Sequence, residues 1–240
     1  MKFFISFILA VSAAYAGSNN FEYTLSPVSD GYISRYTNSL TIVKDYNAFT
    51  ILNYDEQAGS YFEFFISIKN ECDSAVAFDP LDIYTESFTN EENLTEKPEV
   101  LYSVDPAEQL KLIDKDIADL KKQKNLNQGM SCLFAGVSVV AGTVSGSNSE
   151  ADNVMESNSM LQDIIDEEDE FEYNKFSLEQ EKQFWQTEVL QNSLIRPGKK
   201  TAGYFFVPIS SEAKWVQVVI PLGEKEYVFN FRQNKRYFKF

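Results

Sequence analysis

The chain has 240 residues, 44% of them hydrophobic and 15% aromatic, so it can bury a sizeable core and is not a disordered acidic tail. With 36 Asp and Glu against 21 Lys and Arg, its net charge of -15 repels phosphates and argues against a nucleic-acid partner. Histidine is absent, which removes the commonest general base and the commonest metal ligand.

Residues 1–16 hold Lys2, an apolar run from Phe3 to Ala14, and Ala14-Tyr15-Ala16 ahead of Gly17. This basic start, apolar middle and small-residue end predict a signal peptide removed on export, which places the protein in the periplasm, at the cell surface or outside the cell. Short runs rich in Ile, Thr, Tyr and Phe follow at 21–25, 40–43 and 48–54, separated by Ser, Asp, Asn and Gly clusters, and these are predicted strands. In 61–84, Phe62, Phe64, Ile66 and Ile68 alternate with Glu63, Ser67 and Lys69, the period of a strand buried on one face only. Asn70 to Ser74 supply a turn and Val76 and Phe78 resume the alternation, so the stretch is expected to fold back on itself as a hairpin. Residues 81–88 and 99–102 continue the extended pattern, and Asn93-Leu94-Thr95 matches a glycosylation sequon taken as chance.

At Asp105 the period changes. Asp105-Pro106-Ala107-Glu108 is a helix start, and Leu110, Ile113, Ile117 and Leu120 repeat at helical spacing, which predicts a helix ending near Asn125. A second helix is predicted over 151–165 and a third from a cap at Ser177 through Leu190. Strands return at 203–209, 215–220 and 227–232, with turns at Arg196-Pro197-Gly198-Lys199 and Leu222-Gly223-Glu224-Lys225 and one more short strand in the tail, 237–240. The pattern predicts a mainly β protein, an antiparallel sandwich built from 17–104 and 193–240 and interrupted by a helical insertion of about three helices, 105–192. Ile68-Lys69-Asn70, then Val76-Ala77-Phe78-Asp79-Pro80, and later Leu194 to Phe206 around Arg196-Pro197-Gly198 resemble the Ig-like sandwich modules of uncharacterised exported bacterial proteins. The resemblance covers about 130 residues outside the insertion, and it implies an extracytoplasmic structural or binding module without catalytic residues.

Cys72 and Cys132 are the two cysteines of the chain. After export into an oxidising compartment they could pair, closing a loop whose restraint is worth about 4 kcal/mol, or remain two buried thiols, and the sequence leaves both open. Residues 129–146 hold no charge, and Ser138, Gly142 and Gly146 recur every four residues, which predicts a close-packing helix face. Packing within the chain is its plainest use, with self-association or membrane insertion as alternatives. Seven acids fall between Asp163 and Glu172. Without the Asp, Asn and Gly spacing of a calcium loop, a solvated acidic helix end explains them best. No spacing marks a catalytic pair, a phosphate loop or a nucleophile elbow. The expectation is a non-catalytic, exported structural or protein-binding module, with no cofactor or metal and with a protein or cell-envelope partner. The alternative is a membrane-associated or self-associating protein acting through 129–146.

Overall fold

The computed structural model of the chain describes residues 21–28, 32–36, 39–45, 48–90, 97–142 and 150–237, of which 32–45, 49, 127–142 and 150–167 are described by backbone alone. The expected signal peptide, 1–16, the sequon, 93–95, and Gly146 lie outside the described residues. The chain divides into two compact units, one formed by residues up to Gln109 with those from Trp185 on, the other by Leu110–Phe184.

The first unit is antiparallel β structure. Its first sheet has β1 (Phe21–Pro27), β12 (Lys225–Tyr237), β11 (Trp215–Leu222), β7 (Tyr84–Phe88) and β8 (Glu99–Tyr102), in that spatial order. The second sheet runs β10 (Lys200–Pro208), β5 (Tyr61–Asn70), β4 (Ala48–Ala58), β3 (Ser39–Asp45) and β2 (Tyr32–Tyr36), and a small third pairs β6 (Val76–Phe78) with β9 (Ser193–Ile195). The alternation seen in the sequence decides which side of each strand is buried. Phe62, Phe64, Ile66 and Ile68 of β5 meet Val216, Val218, Ile220, Phe229 and Phe231 of the first sheet in one core. The Phe64 ring stacks on Phe205 at 5.2 Å within its own sheet and lies 5.7 Å from Phe231 across the core. Each such buried side chain stabilises the fold by about 1.5–3 kcal/mol, so the two inner faces hold the sheets together.

The expected hairpin over 61–84 does not form: β5 pairs with β4 and β10, and β6 pairs with β9. The reason is Asn70, fully buried at the end of β5. Its Nδ2 donates to Ser74 O and to Ile195 O, both at 2.8 Å, while its Oδ1 accepts from the Cys72 amide. The local turn is real, but it hands the chain to β9 rather than back to β5. The Arg196–Lys199 turn closes against the same residue, since Gly198 N donates to Asn70 O and Asn70 N to Lys199 O. Gly198 sits at φ 69, the left-handed conformation that the third position of this turn requires.

The helical region consists of two helices, α1 (Pro106–Gly142) and α2 (Glu150–Thr187), where three were expected. Asp105 caps α1 as its sequence predicts, its Oδ1 accepting from Ala107 N at 2.8 Å. Asn125 does not end a helix and Ser177 does not start one, because no Pro follows Pro106 in α1 and α2 contains neither Pro nor Gly; α2 ends at Thr187, short of the expected Leu190. Within the second unit, Lys182 pairs with Asp114 at 2.6 Å and Lys124 with Glu168 at 3.1 Å, a register that sets the helices antiparallel. The acidic run therefore supplies pairing partners for α1, with Lys124 also 4.1 Å from the centre of the Phe171 ring. Of the strand expected at 237–240, residues 238–240 lie outside the described residues, and Tyr237 is the last residue of β12.

Candidate functional site

The residues marked in advance are not brought together. Cys72 is half-buried in the loop between β5 and β6, where it lines a cavity of about 380 Å³ with Ala48, Val76, Lys225 and Tyr227. Cys132 and Ser138 belong to the part of α1 described by backbone alone, and Gly142 is its last residue. Among the described residues there is no disulfide, no cluster of three or more metal-ligating side chains, and no helix long and apolar enough to cross a membrane.

Two other constellations do form, one on the outer face of each sheet. On the second sheet, β4 and β5 change register between Tyr54 and Glu56, so Asp55 is the extra residue of a β-bulge. Without the bulge Glu56 would oppose Phe62 on the core face; with it, Glu56 stays outside and stands opposite Glu63. Glu63 was expected on the exposed side of its strand, yet it is only 1% exposed. The cover is aromatic: its neighbour on β10 is Phe206, and Phe206 packs on Trp185 with ring centroids 5.0 Å apart. The Oε1 of Glu63 has no hydrogen-bond partner, and burial, then the charges of Asp55 and Glu56, push its acid up from 4.5 to about 8. A buried carboxyl facing two others keeps its proton, because the charged form loses its water and gains only like charges. Glu56 is itself pushed up, by burial first and then by Asp55 and Glu22. The Tyr54 phenol, whose hydroxyl donates to Tyr23 O at 3.2 Å, is raised well above its ordinary value by burial and then by Glu22 and Glu56.

On the first sheet the outer face is buried at Phe88 and Val219 and exposed at its β8 edge, at Val100 and Tyr102. Register places Tyr102 and Val100 of β8 beside Tyr84 and Glu86 of β7, and these beside Val219 and Gln217 of β11. Tyr84 and Tyr102 lie 5.8 Å apart, and Tyr102 is 61% exposed at the edge of the sheet. The Tyr84 hydroxyl donates to Glu226 Oε1 at 3.4 Å. Its phenol is pushed up by partial burial, by the charges of Glu226 and Glu86, by that hydrogen bond and by Tyr102. Glu226 is thus the carboxylate at the Tyr84 hydroxyl, and neither it nor Glu86 forms an ion pair among the described residues.

The edges of the two sheets also differ. The β10 edge is covered, because Leu190 N donates to Tyr204 O and Tyr204 N to Glu188 O, and Gly203 makes room for that segment. The edge at β8 ends the sheet, and the chain leaves it only after Tyr102, where Ser103 N donates to Ile83 O. Sequence reasoning identified none of these residues as a site. The signal that was present is the spacing of Tyr84 with Glu86 and of Val100 with Tyr102, two apart on strands and hence on one face. Compared with known proteins, the chain matches no family model, no curated protein and no solved structure.

Proposed function

We propose that this chain is an exported, non-catalytic protein-binding module of Ig-like type, and that its working surface is the outer face and open edge of the first sheet. The observation that carries the reading is the Tyr84–Tyr102 pair, whose outer member, Tyr102, is 61% exposed where the sheet ends. Tyrosine offers a large apolar ring and a polar tip with few rotatable bonds, so it gains contact area on binding at small entropic cost. A strand edge left uncovered among the described residues, with an apolar residue at Val100, also invites another chain, and proteins ordinarily blunt such edges with charge or a covering segment. Glu188–Leu190 provide that covering on β10. Export is supported by the pattern of residues 1–16.

The test is a photo-crosslinking amino acid placed at Tyr102 in the exporting source cell, with Asp169, exposed on α2, as the control position. A discrete adduct from 102 and none from 169, on a chain whose intact mass begins at Gly17, supports the module. No adduct from 102, or the same adducts from both positions, overturns it.

A further inference from the structure

We propose that residues 185–188, the end of α2 and the residue after it, are a proton-latched cover on the outer face of the second sheet, closed while Glu63 is protonated and lifted when Glu63 ionises. This device lies apart from the binding surface on the first sheet, and the cover belongs to the same compact unit as the sheet beneath it. The surroundings of Glu63 are one-sided. On the β4 side its register neighbour is Glu56, exposed like the bulged Asp55; on the β10 side it is Phe206, against which Trp185 packs. The charges that act on Glu63 are those of Asp55 and Glu56, so an ionised Glu63 is pushed away from β4 and takes its water from the side of the aromatic cover. The other groups on that side offer no counter-charge. Tyr204 of β10 is a phenol raised by burial and then by Asp55, Glu63 and Glu188. Glu188 in the cover is itself an acid, and so is Asp105, next to the Val104 amide that donates to Phe206 O. The attachments decide what moves. β10 is held at Phe206 by Val104 N and along its length by β5, and Leu190, beyond the cover, is 2% exposed in the core. The cover meets β10 through the Trp185–Phe206 contact and the bond from Tyr204 N to Glu188 O. Lifting it leaves the core between the sheets closed, because Glu63 lies on the opposite side of β5 from Phe62 and Phe64. Less structure opens than in unfolding, so water reaches the carboxyl by this route first.

Proton binding favours the closed form, since Glu63 titrates near 8 under the cover and near 4.5 in water. The opening equilibrium therefore rises with pH between those values, toward about tenfold per unit, and levels off above them. Amide hydrogen exchange of the full chain measures this residue by residue, each rate divided by its intrinsic value at every pH from 5 to 9. The Tyr204 amide, whose acceptor is in the cover, should be less protected at neutral pH than the amide of Val218, fully buried in β11, by on the order of a hundredfold. Its protection should fall steadily from pH 5 to 8, and Glu63→Gln should make it nearly flat over that range. Asp55→Asn with Glu56→Gln relieves the repulsion and should raise Tyr204 protection at pH 8 by about tenfold. Equal protection of Tyr204 and Val218 would mean that Glu63 meets water only on global unfolding, and would overturn the cover. A Tyr204 protection that does not change with pH in the wild-type chain, that changes equally in Glu63→Gln, or that the Asp55 and Glu56 variant leaves as it was would overturn the latch. The two wild-type comparisons decide the matter even where Glu63→Gln fails to fold.

Discussion

Each sheet carries a glutamate on its outer face within an aromatic setting, and the two have opposite environments. Glu63 stands opposite Phe206, which packs on Trp185, and it is buried with an unpartnered oxygen. Glu86 stands opposite Val100 and Gln217, next to a tyrosine pair whose outer member is mostly exposed. The residue type and the strand context are the same, so the difference lies in what covers the face. Covering turns one carboxyl into a neutral acid held in place by its surroundings; the other is half-buried beside the tyrosine pair. A fold uses the same side chain in both ways only at a cost on the covered face, and that cost is measurable.

The largest effect separates the two faces by pH. Unfolded, Glu63 titrates near 4.5, and folded it titrates near 8, so the folded state binds more protons between those values. Its contribution is fully present below about 4.5 and is lost as pH rises to about 8, with a slope of about 1.4 kcal/mol per pH unit. Glu63→Gln should remove that slope and make the protein more stable at pH 8 by on the order of 2 kcal/mol, after allowing for the buried amide's own unmet hydrogen bonds. Urea unfolding of both proteins from pH 5 to 9 measures this. Parallel curves would show that Glu63 is not the neutral, buried acid the geometry requires.

A second measurement addresses the cover itself. A Cβ on Gly203 would lie 2.7 Å from Glu188 O and 3.2 Å from Leu190 N, both backbone atoms of the segment that runs along β10. Backbone cannot step aside as a flexible side chain would, so Gly203→Ala should cost about 2 kcal/mol and shift the Trp185 environment. Fluorescence of Trp185 in a Trp215→Phe background reports the shift. An unchanged spectrum with unchanged stability would mean that the edge of β10 is not closed by 188–190.

Much of the β architecture is legible locally. The alternation of Phe62, Phe64, Ile66 and Ile68 reflects one strand facing one core, and no distant partner is needed to read it. Glu63 lies in the same alternation, but its burial depends on Phe206 and Trp185, more than a hundred residues away in sequence. Asn70 shows the same limit: its short-range turn to Ser74 can be read, whereas its bond to Ile195 spans 125 residues and decides that β6 joins β9. The helix number was misread for a different reason. Ser177 and Asn125 have cap or end character as isolated residues, yet without a breaking residue nearby the helical hydrogen bonds continue through them. The open face is the least legible part, because Tyr84 and Glu226 are 142 residues apart and only strand register joins them.

A third prediction tests whether Glu63 responds to its charged neighbours or to burial alone. Asp55→Asn with Glu56→Gln removes both like charges that face it across the bulge and leaves the aromatic cover intact. The midpoint of the Glu63-dependent stability loss should then move down by about one pH unit, which is about 1.4 kcal/mol at pH 8. Since burial is the larger cause, the midpoint should remain above the ordinary carboxyl range. A full return to that range would assign the shift to charge and remove the distinction between a covered and an open face.

The smallest expected effect falls on the open face, and its smallness is the point. Tyr102→Ala removes a side chain that is 61% exposed and whose described ring contact is Tyr84. Glu86→Gln neutralises an acid that holds no ion pair among the described residues. Surface changes of this kind ordinarily stay within about 0.5 kcal/mol, so both variants should unfold at the wild-type urea midpoint. A surface kept for binding contributes little to the folded chain alone, because its favourable contacts form only with the partner. If either variant were destabilised by more than about 1 kcal/mol, the tyrosine pair would be part of the fold's own support. The contrast between the faces would then be one of degree, and the first sheet would lose its claim as the working surface.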